Sequence, residues 1–134
     1  MTLIKQCKGF EPQIGEDCWI AENATLVGDL IIGNQCSVWF NAVVRADVNS
    51  IRIGNRVNIQ DGAVLHCTYE KTKVDIGDNV SIGHNALIHG CTIESNVLIG
   101  MGSIVMDNCH IESNAIIAAG AVLLEGTRVE SWSI

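Results

Sequence analysis

Broken every six residues, positions 93–129 read IESNVL IGMGSI VMDNCH IESNAI IAAGAV LLEGTR V, and an aliphatic residue opens each segment. A period of six matches neither the 3.6 of a helix nor the 2 of a simple strand. The same ladder extends toward the N-terminus through Ile14, Ile20, Leu26, Ile32, Val38 and Val44, then Ile53, Ile59 and Leu65, then Ile76, Ile82 and Ile88. One shortened step separates Ile88 from Ile93, so the repeats run from about 14 to 131.

A longer period lies above the hexads. Ile14-Gly15 and Ile32-Gly33 are eighteen apart, as are Ile93-Glu94, Ile111-Glu112 and Val129-Glu130. Three hexads therefore make one coil of a three-sided solenoid. Insertions within 45–52 and 66–75 account for the longer spacings around Ile53 and Ile76. The first position of each hexad and the fifth (Cys18, Cys36, Val57, Val80, Val97, Ala115) are expected to face the core. Asn79, Asn96 and Asn114 hold the fourth position, where a left-handed corner tolerates asparagine. Each short strand would pair with the coils above and below at roughly 4.8 Å. The prediction is a single all-β domain, 1–134, in the form of a parallel β-helix.

Composition narrows the function. A formal charge of −7 opposes a nucleic-acid or anionic-membrane partner, either of which is approached through clustered Lys and Arg. No apolar run approaches the roughly 18 residues of a membrane span, and MTLIKQCKGFEP at the start is no signal peptide. The chain reads as cytoplasmic. Its six cysteines then read as packed thiols, although Cys18 and Cys36, one coil apart, could approach disulfide distance.

Three of the four histidines, His66, His84 and His89, fall within 65–90. Their spacings fit no zinc-finger pattern, and a histidine on a β-helix rim is ordinarily a solvated surface residue. The hexads resemble the hexapeptide-repeat left-handed parallel β-helix family, and the left hand is implied by that resemblance. Within it, Arg45-Ala46-Asp47, Asn58-Ile59-Gln60-Asp61, His66, Gly83-His84 and His89-Gly90-Cys91 resemble the γ-class carbonic anhydrases across almost the whole chain.

With the insertions removed, Val44, Leu65, Ile88 and Val105 occupy equivalent places, so Arg45, His66, His89 and Met106 form a column. His66 and His89 are then stacked neighbours. Two zinc-bound imidazole nitrogens must lie roughly 3.3 Å apart, which adjacent strands allow. His84, the third residue of its hexad, lies one corner earlier, between Asp61 and Met101, and is expected to point away from the pair. A neighbouring prism could supply it, and closed symmetry would repeat the site at every interface. A homotrimer with intersubunit metal sites is therefore expected, as in the γ-class enzymes this chain resembles. His110 lies outside these columns and reads as an ordinary surface residue. Cys67 and Cys91, each following or nearly following a stacked histidine, are expected to point away from the metal.

The resemblance implies zinc, with iron(II) or cobalt(II) also acceptable to imidazole ligands, and reversible hydration of CO2 to bicarbonate by a metal-bound hydroxide. It implies that Gln60 bonds the metal-bound water, while Arg45 with Asp47 or Asp61 holds the interface and the bicarbonate; a plain interface salt bridge is the simpler reading of those charges. Val48 stands where the best-studied members carry a glutamate tied to proton transfer. Glu70 is the only acid in the loop after His66, which makes it a weak shuttle candidate and weak activity an expectation. Many members end in a helix beside the coils, but this chain reaches Ile134 inside a hexad, so that helix is expected to be absent. Two rivals remain open. A hexapeptide acyltransferase using acyl-CoA needs one basic histidine and no metal cluster, and a non-catalytic scaffold would keep the metal for stability alone.

Overall fold

The computed structural model describes residues 2–134. In chain order the strands begin with β1 (Leu3–Lys5), β2 (Gln13–Ile14), β3 (Trp19–Ile20), β4 (Thr25–Ile32), β5 (Ser37–Val38) and β6 (Val43–Ile53). Next come β7 (Asn58–Ile59), β8 (Val64–His66), β9 (Val74–Ile76), β10 (Ser81–Ile82), β11 (Leu87–His89) and β12 (Thr92–Ile93). The last are β13 (Leu98–Ile99), β14 (Ile104–Val105), β15 (His110–Ile111), β16 (Ile116–Ile117), β17 (Val122–Leu123) and β18 (Arg128–Val129). Among the described residues there is no helix, and hence none long and apolar enough to cross a membrane.

All strand pairings are parallel, and the chain winds as the expected left-handed β-helix with three faces. The first face stacks β1, the start of β4, the start of β6, β8, β11, β14 and β17. The second stacks β2, the ends of β4 and β6, β9, β12, β15 and β18. Because β4 and β6 round a corner unbroken, these two faces form one sheet, while β3, β5, β7, β10, β13 and β16 make the third.

Inward side chains form the expected ladders. Leu26, Val44, Leu65, Ile88 and Val105 are buried on the first face, and Val38, Ile59, Ile82 and Ile99 on the third. Burying each such side chain contributes about 1.5–3 kcal/mol. At the corners Asn79, Asn96 and Asn114 have φ of 56°, 61° and 65°, as the repeat predicts. All six cysteines are free thiols, four of them buried; Cys18 and Cys36 pack one coil apart, with the Cys36 amide donating to Cys18 Sγ at 3.4 Å.

Two local departures matter for the site. The stack begins before Ile14, because Ile4 on β1 pairs with Leu26. The ten-residue gap from Ile4 to Ile14 breaks the six-residue period and hides this rung in the sequence. Between β4 and β6 the register shifts: Gly28 pairs with Ala46, but Leu30 pairs with Ile51. Residues 47–50 thus arch outward over Asp29, which is held by Arg52 Nη2 at 2.7 Å. Gly28 permits the arch through a φ of +78°, and a Cβ there would lie 2.2 Å from the Ala46 carbonyl oxygen.

Candidate metal centre

The first face builds the site from consecutive rungs. His66 closes β8, His89 closes β11, and the two are register partners, as the coil spacing predicts. Their facing nitrogens, His66 Nδ1 and His89 Nε2, are 3.2 Å apart. Their outward nitrogens are each held by a carboxylate. His66 Nε2 lies 3.0 Å from Asp47 Oδ1 on the arch, and His89 Nδ1 lies 2.5 Å from Asp107 Oδ1 on the following rung.

Both carboxylates are ionised at neutral pH. Burial pushes the Asp47 carboxyl up, but hydrogen bonds from Arg45 and His66 outweigh it and leave it below its ordinary range. Burial likewise opposes ionisation of Asp107, and bonds from Thr68 and His89 outweigh it. An ionised carboxylate only accepts, so each outward ring nitrogen meets its carboxylate as an N–H donor, and in the neutral form of each ring the facing nitrogen presents a lone pair. Burial, and the charge of Arg45, hold His66 toward its neutral form against the pull of Asp47.

Two lone pairs at 3.2 Å repel unless a cation lies between them. Two nitrogens at 2.0–2.1 Å from a tetrahedral zinc would be separated by roughly 3.3–3.4 Å, so the pair fits a metal ion. The carboxylate on each outer nitrogen is the arrangement that orients metal-ligating imidazoles.

The other residues singled out in the sequence separate into two groups. Arg45 joins the pair's column and donates to Asp47 Oδ2 at 2.6 Å, within the protomer. Asp61 is not in that group: it sits beside His84, whose Nε2 is 3.3 Å from Asp61 Oδ1. Gln60, Asp61 and His84 occupy the corner that follows the third face, with the Gln60 amide bonded to the Ile82 carbonyl. His84 is half-exposed, and no three His, Cys, Asp or Glu groups among the described residues converge within one chain to hold a metal.

Glu70 is exposed at the tip of the loop, with φ of 54° and no polar partner among the described residues. His110 bonds Glu94 at 2.7 Å on the second face, away from the pair. Cys67 and Cys91 point into the core as expected, where burial pushes the Cys67 thiol up to about 11 and the Cys91 thiol up as well. Neither is a ready thiolate.

Asp107, which holds the outward nitrogen of His89, is the site residue that sequence reasoning passed over. It occupies a corner position where acids are commonplace, and nothing in its local spelling distinguishes it. Its partners Thr68 and Thr72 lie inside the 66–75 insertion, beyond the reach of a repeat-based reading. Carrying the column of His89 and Met106 one residue further places Asp107 against Gly90, and that register was the available signal.

The outward rows differ between faces. On the first they are Thr25, Val43, Val64, Leu87, Ile104 and Val122, almost all apolar; on the second they are Gln13, Ile31, Arg52, Asp75, Thr92, His110 and Arg128. The apolar face is the one that carries the histidine pair.

Residues 11–46 and 90–125, more than half of the chain, match the family of the bacterial transferase hexapeptide (six repeats). A carbonic anhydrase from Geobacillus kaustophilus (strain HTA426) is 45% identical over 105 residues, covering 78% of this chain and 57% of that protein. Gamma carbonic anhydrase 2, mitochondrial, from Arabidopsis thaliana is 41% identical over 103 residues, 72% of this chain and 36% of that protein. Among solved structures, a hexapeptide transferase family protein from Anaplasma phagocytophilum has a TM-score of 0.92 at 39% identity, covering 96% of this chain and 75% of that one. The chain thus spans 57% of the first of these curated relatives and 36% of the second. Its repeats, its coil geometry and these likenesses agree: the chain belongs to the hexapeptide-repeat family and is a γ-class carbonic anhydrase-like member of it.

Proposed function

We propose that the protein catalyses zinc-dependent, reversible hydration of CO2 to bicarbonate at sites between the protomers of a homotrimer. The observation that carries this reading is the histidine pair, two ring nitrogens facing each other at 3.2 Å with both outer nitrogens held by carboxylates. The relatives named carbonic anhydrase support the reaction class.

His66 and His89 would hold the metal from one protomer, and His84 of a neighbour would complete the set. Two features favour the neighbour. His84 stands on a different corner of its own prism, and the face bearing the pair is apolar enough to be covered. Three imidazoles suit zinc and also accept iron(II) or cobalt(II). Such an ion, when bound, lowers the pKa of water toward 7 and so supplies a nucleophile at neutral pH.

The chain's own residues do the rest. Asp47 and Asp107 hold the ring protons outward, which keeps both inner lone pairs available. Leu87, Ile104, Val105 and Met106, with Asp107 and Glu125, line a mostly apolar recess beside His89 that would admit a nonpolar substrate such as CO2. Arg45, beside His66 and half-exposed, offers positive charge to the bicarbonate product while bound to Asp47. Gln60 lies on the same corner as His84 and would reach the reacting water from the neighbour's side. Glu70, exposed at the tip of the loop after His66, is a weak candidate to carry protons outward, and Val48 contributes none. Turnover is accordingly expected to be modest. Six free thiols suit the reducing cytoplasm.

Metal analysis and stopped-flow CO2 hydration on the assembled protein test the reading. One metal per protomer with chelator-sensitive hydration supports it, whereas hydration no faster than buffer at full metal loading would reject the enzyme and leave a metal-stabilised scaffold. The hexapeptide transferase family of the Anaplasma structure favours one second reading, acyl transfer from an acyl-CoA donor. Transfer that survives chelation would select it.

A further inference from the structure

We propose that Asp107 is a positioning residue for His89, and that the 66–75 insertion serves to hold Asp107 in place through Thr68; this rests on the metal-site reading above. In water a neutral imidazole favours the proton on Nε2, which would occupy the nitrogen that faces His66. A carboxylate on Nδ1 reverses that preference. Asp107 Oδ1 supplies it at 2.5 Å.

The carboxylate is itself constrained from the rung on the other side of His89. Thr68 Oγ1 donates to Asp107 Oδ2 at 2.5 Å, a contact across 39 residues of sequence. Thr68 is fixed in turn, because its amide donates to Thr72 Oγ1 at 2.9 Å and Thr72 is buried. The Lys71 and Thr72 amides both return to the Thr68 carbonyl at 3.2 Å, which closes the loop on itself. The insertion therefore reaches past the His89 rung and grips the residue that orients the ring.

Gly90 makes this crossing possible. Its φ is +56°, and a Cβ there would lie 2.2 Å from Asp107 Oδ1 and 2.3 Å from Thr72 Oγ1. The Gly90 amide donates to the His66 carbonyl at 2.9 Å, while its own carbonyl accepts from the Asn108 amide at 2.8 Å. The backbone after His89 is thus pinned to the rungs on both sides with its surface left bare. Asp107 and Thr72 meet in the space a side chain would fill.

Nitrogen-detected NMR of the metal-free protein reads the His89 tautomer directly, and competition against a chromophoric chelator reads zinc affinity. In the wild type His89 should carry its proton on Nδ1. Asp107→Ala should move it mainly to Nε2 and weaken zinc by roughly 10–100-fold. Asp107→Asn keeps an acceptor oxygen and should restore the tautomer, with an intermediate affinity. Thr68→Val leaves Asp107 intact and should produce a smaller loss of the same kind, which keeps the test open if Asp107→Ala fails to fold. An unchanged tautomer and affinity in folded Asp107→Ala would overturn the proposal. A wild type that binds no zinc, yet shows an Asp107-dependent tautomer, would instead overturn the metal reading and leave the positioning role standing.

Discussion

His66 Nδ1 and His89 Nε2 face each other across 3.2 Å on adjacent rungs. The separation is that of two ligands on one metal ion, and it arises from side chains whose Cα atoms are register partners. His66→Ala and His89→Ala should each lower zinc affinity by more than the roughly 10–100-fold expected of an outer-shell change. His84→Ala should do the same, although it leaves the pair untouched. Chelator competition measures all three, and an unaltered affinity in His84→Ala would remove that residue from the ligand set.

The assembly is open to a separate test. Ile104 and Val122 lie outward on the apolar first face, 37% and 57% exposed in the single chain. A glutamate at either position would place a charge where a neighbour is expected, a severe cost once desolvated. Ile104→Glu and Val122→Glu should lower the mass seen by light scattering from trimer to monomer, keep the β-sheet circular dichroism, and lose stoichiometric metal. A variant that stays trimeric would move the interface to another face.

Stability should depend on the arch as well as on the core. Gly28→Ala imposes a left-handed backbone on a residue with a side chain, at about 1–2 kcal/mol, before the overlap with the Ala46 carbonyl is counted. Leu65→Ala empties part of a fully buried ladder and should cost about 2–5 kcal/mol. Guanidinium unfolding reads both. Gly28→Ala should also disturb the site, because the arch it permits carries Asp47.

Acid should destabilise the second face. Glu94, bonded by His110 and by Ser113, and Glu112, bonded by the Ser131 amide and by Arg128, both have folded-state pKa values below 4.5. The unfolded chain therefore binds more protons in that range, and stability rises with pH. Their contribution is complete above about pH 4.5 and disappears as pH falls through the lower folded values. Melting temperatures of the metal-free protein should decline in that window, and Glu94→Gln/Glu112→Gln should flatten the decline. An identical pH profile in the double variant would assign acid sensitivity to other carboxylates.

Most of the architecture was legible because a six-residue period has few structural interpretations. Ile93 to Val129 keeps it without interruption, and the asparagines at 79, 96 and 114 mark corners that adopt the left-handed conformation. The histidine pair was legible only after the insertions were subtracted, since the 23-position separation of His66 and His89 conceals a one-rung step. What escaped were contacts made by inserted or atypical residues. The rung at Leu3–Lys5 is separated from the repeat by the Cys7–Phe10 turn, and Thr68 finds Asp107 through a loop whose conformation no period encodes. Side-chain placement in the repeat follows from register, whereas placement in the insertion follows from a local hydrogen-bond pattern that only the folded chain reveals.

On the first face the rungs run through Ile4, Leu26, Val44, Leu65, Ile88, Val105 and Leu123, and the two histidines follow the fourth and fifth of these. A stack whose rungs touch only their neighbours opens from its ends, where each terminal rung has a single partner. Amide hydrogen exchange should accordingly be slowest at β8 and β11 and accelerate toward β1 and β17. The residues that would hold the metal occupy the last part of the molecule to come undone, so a partly frayed chain can still present them in register.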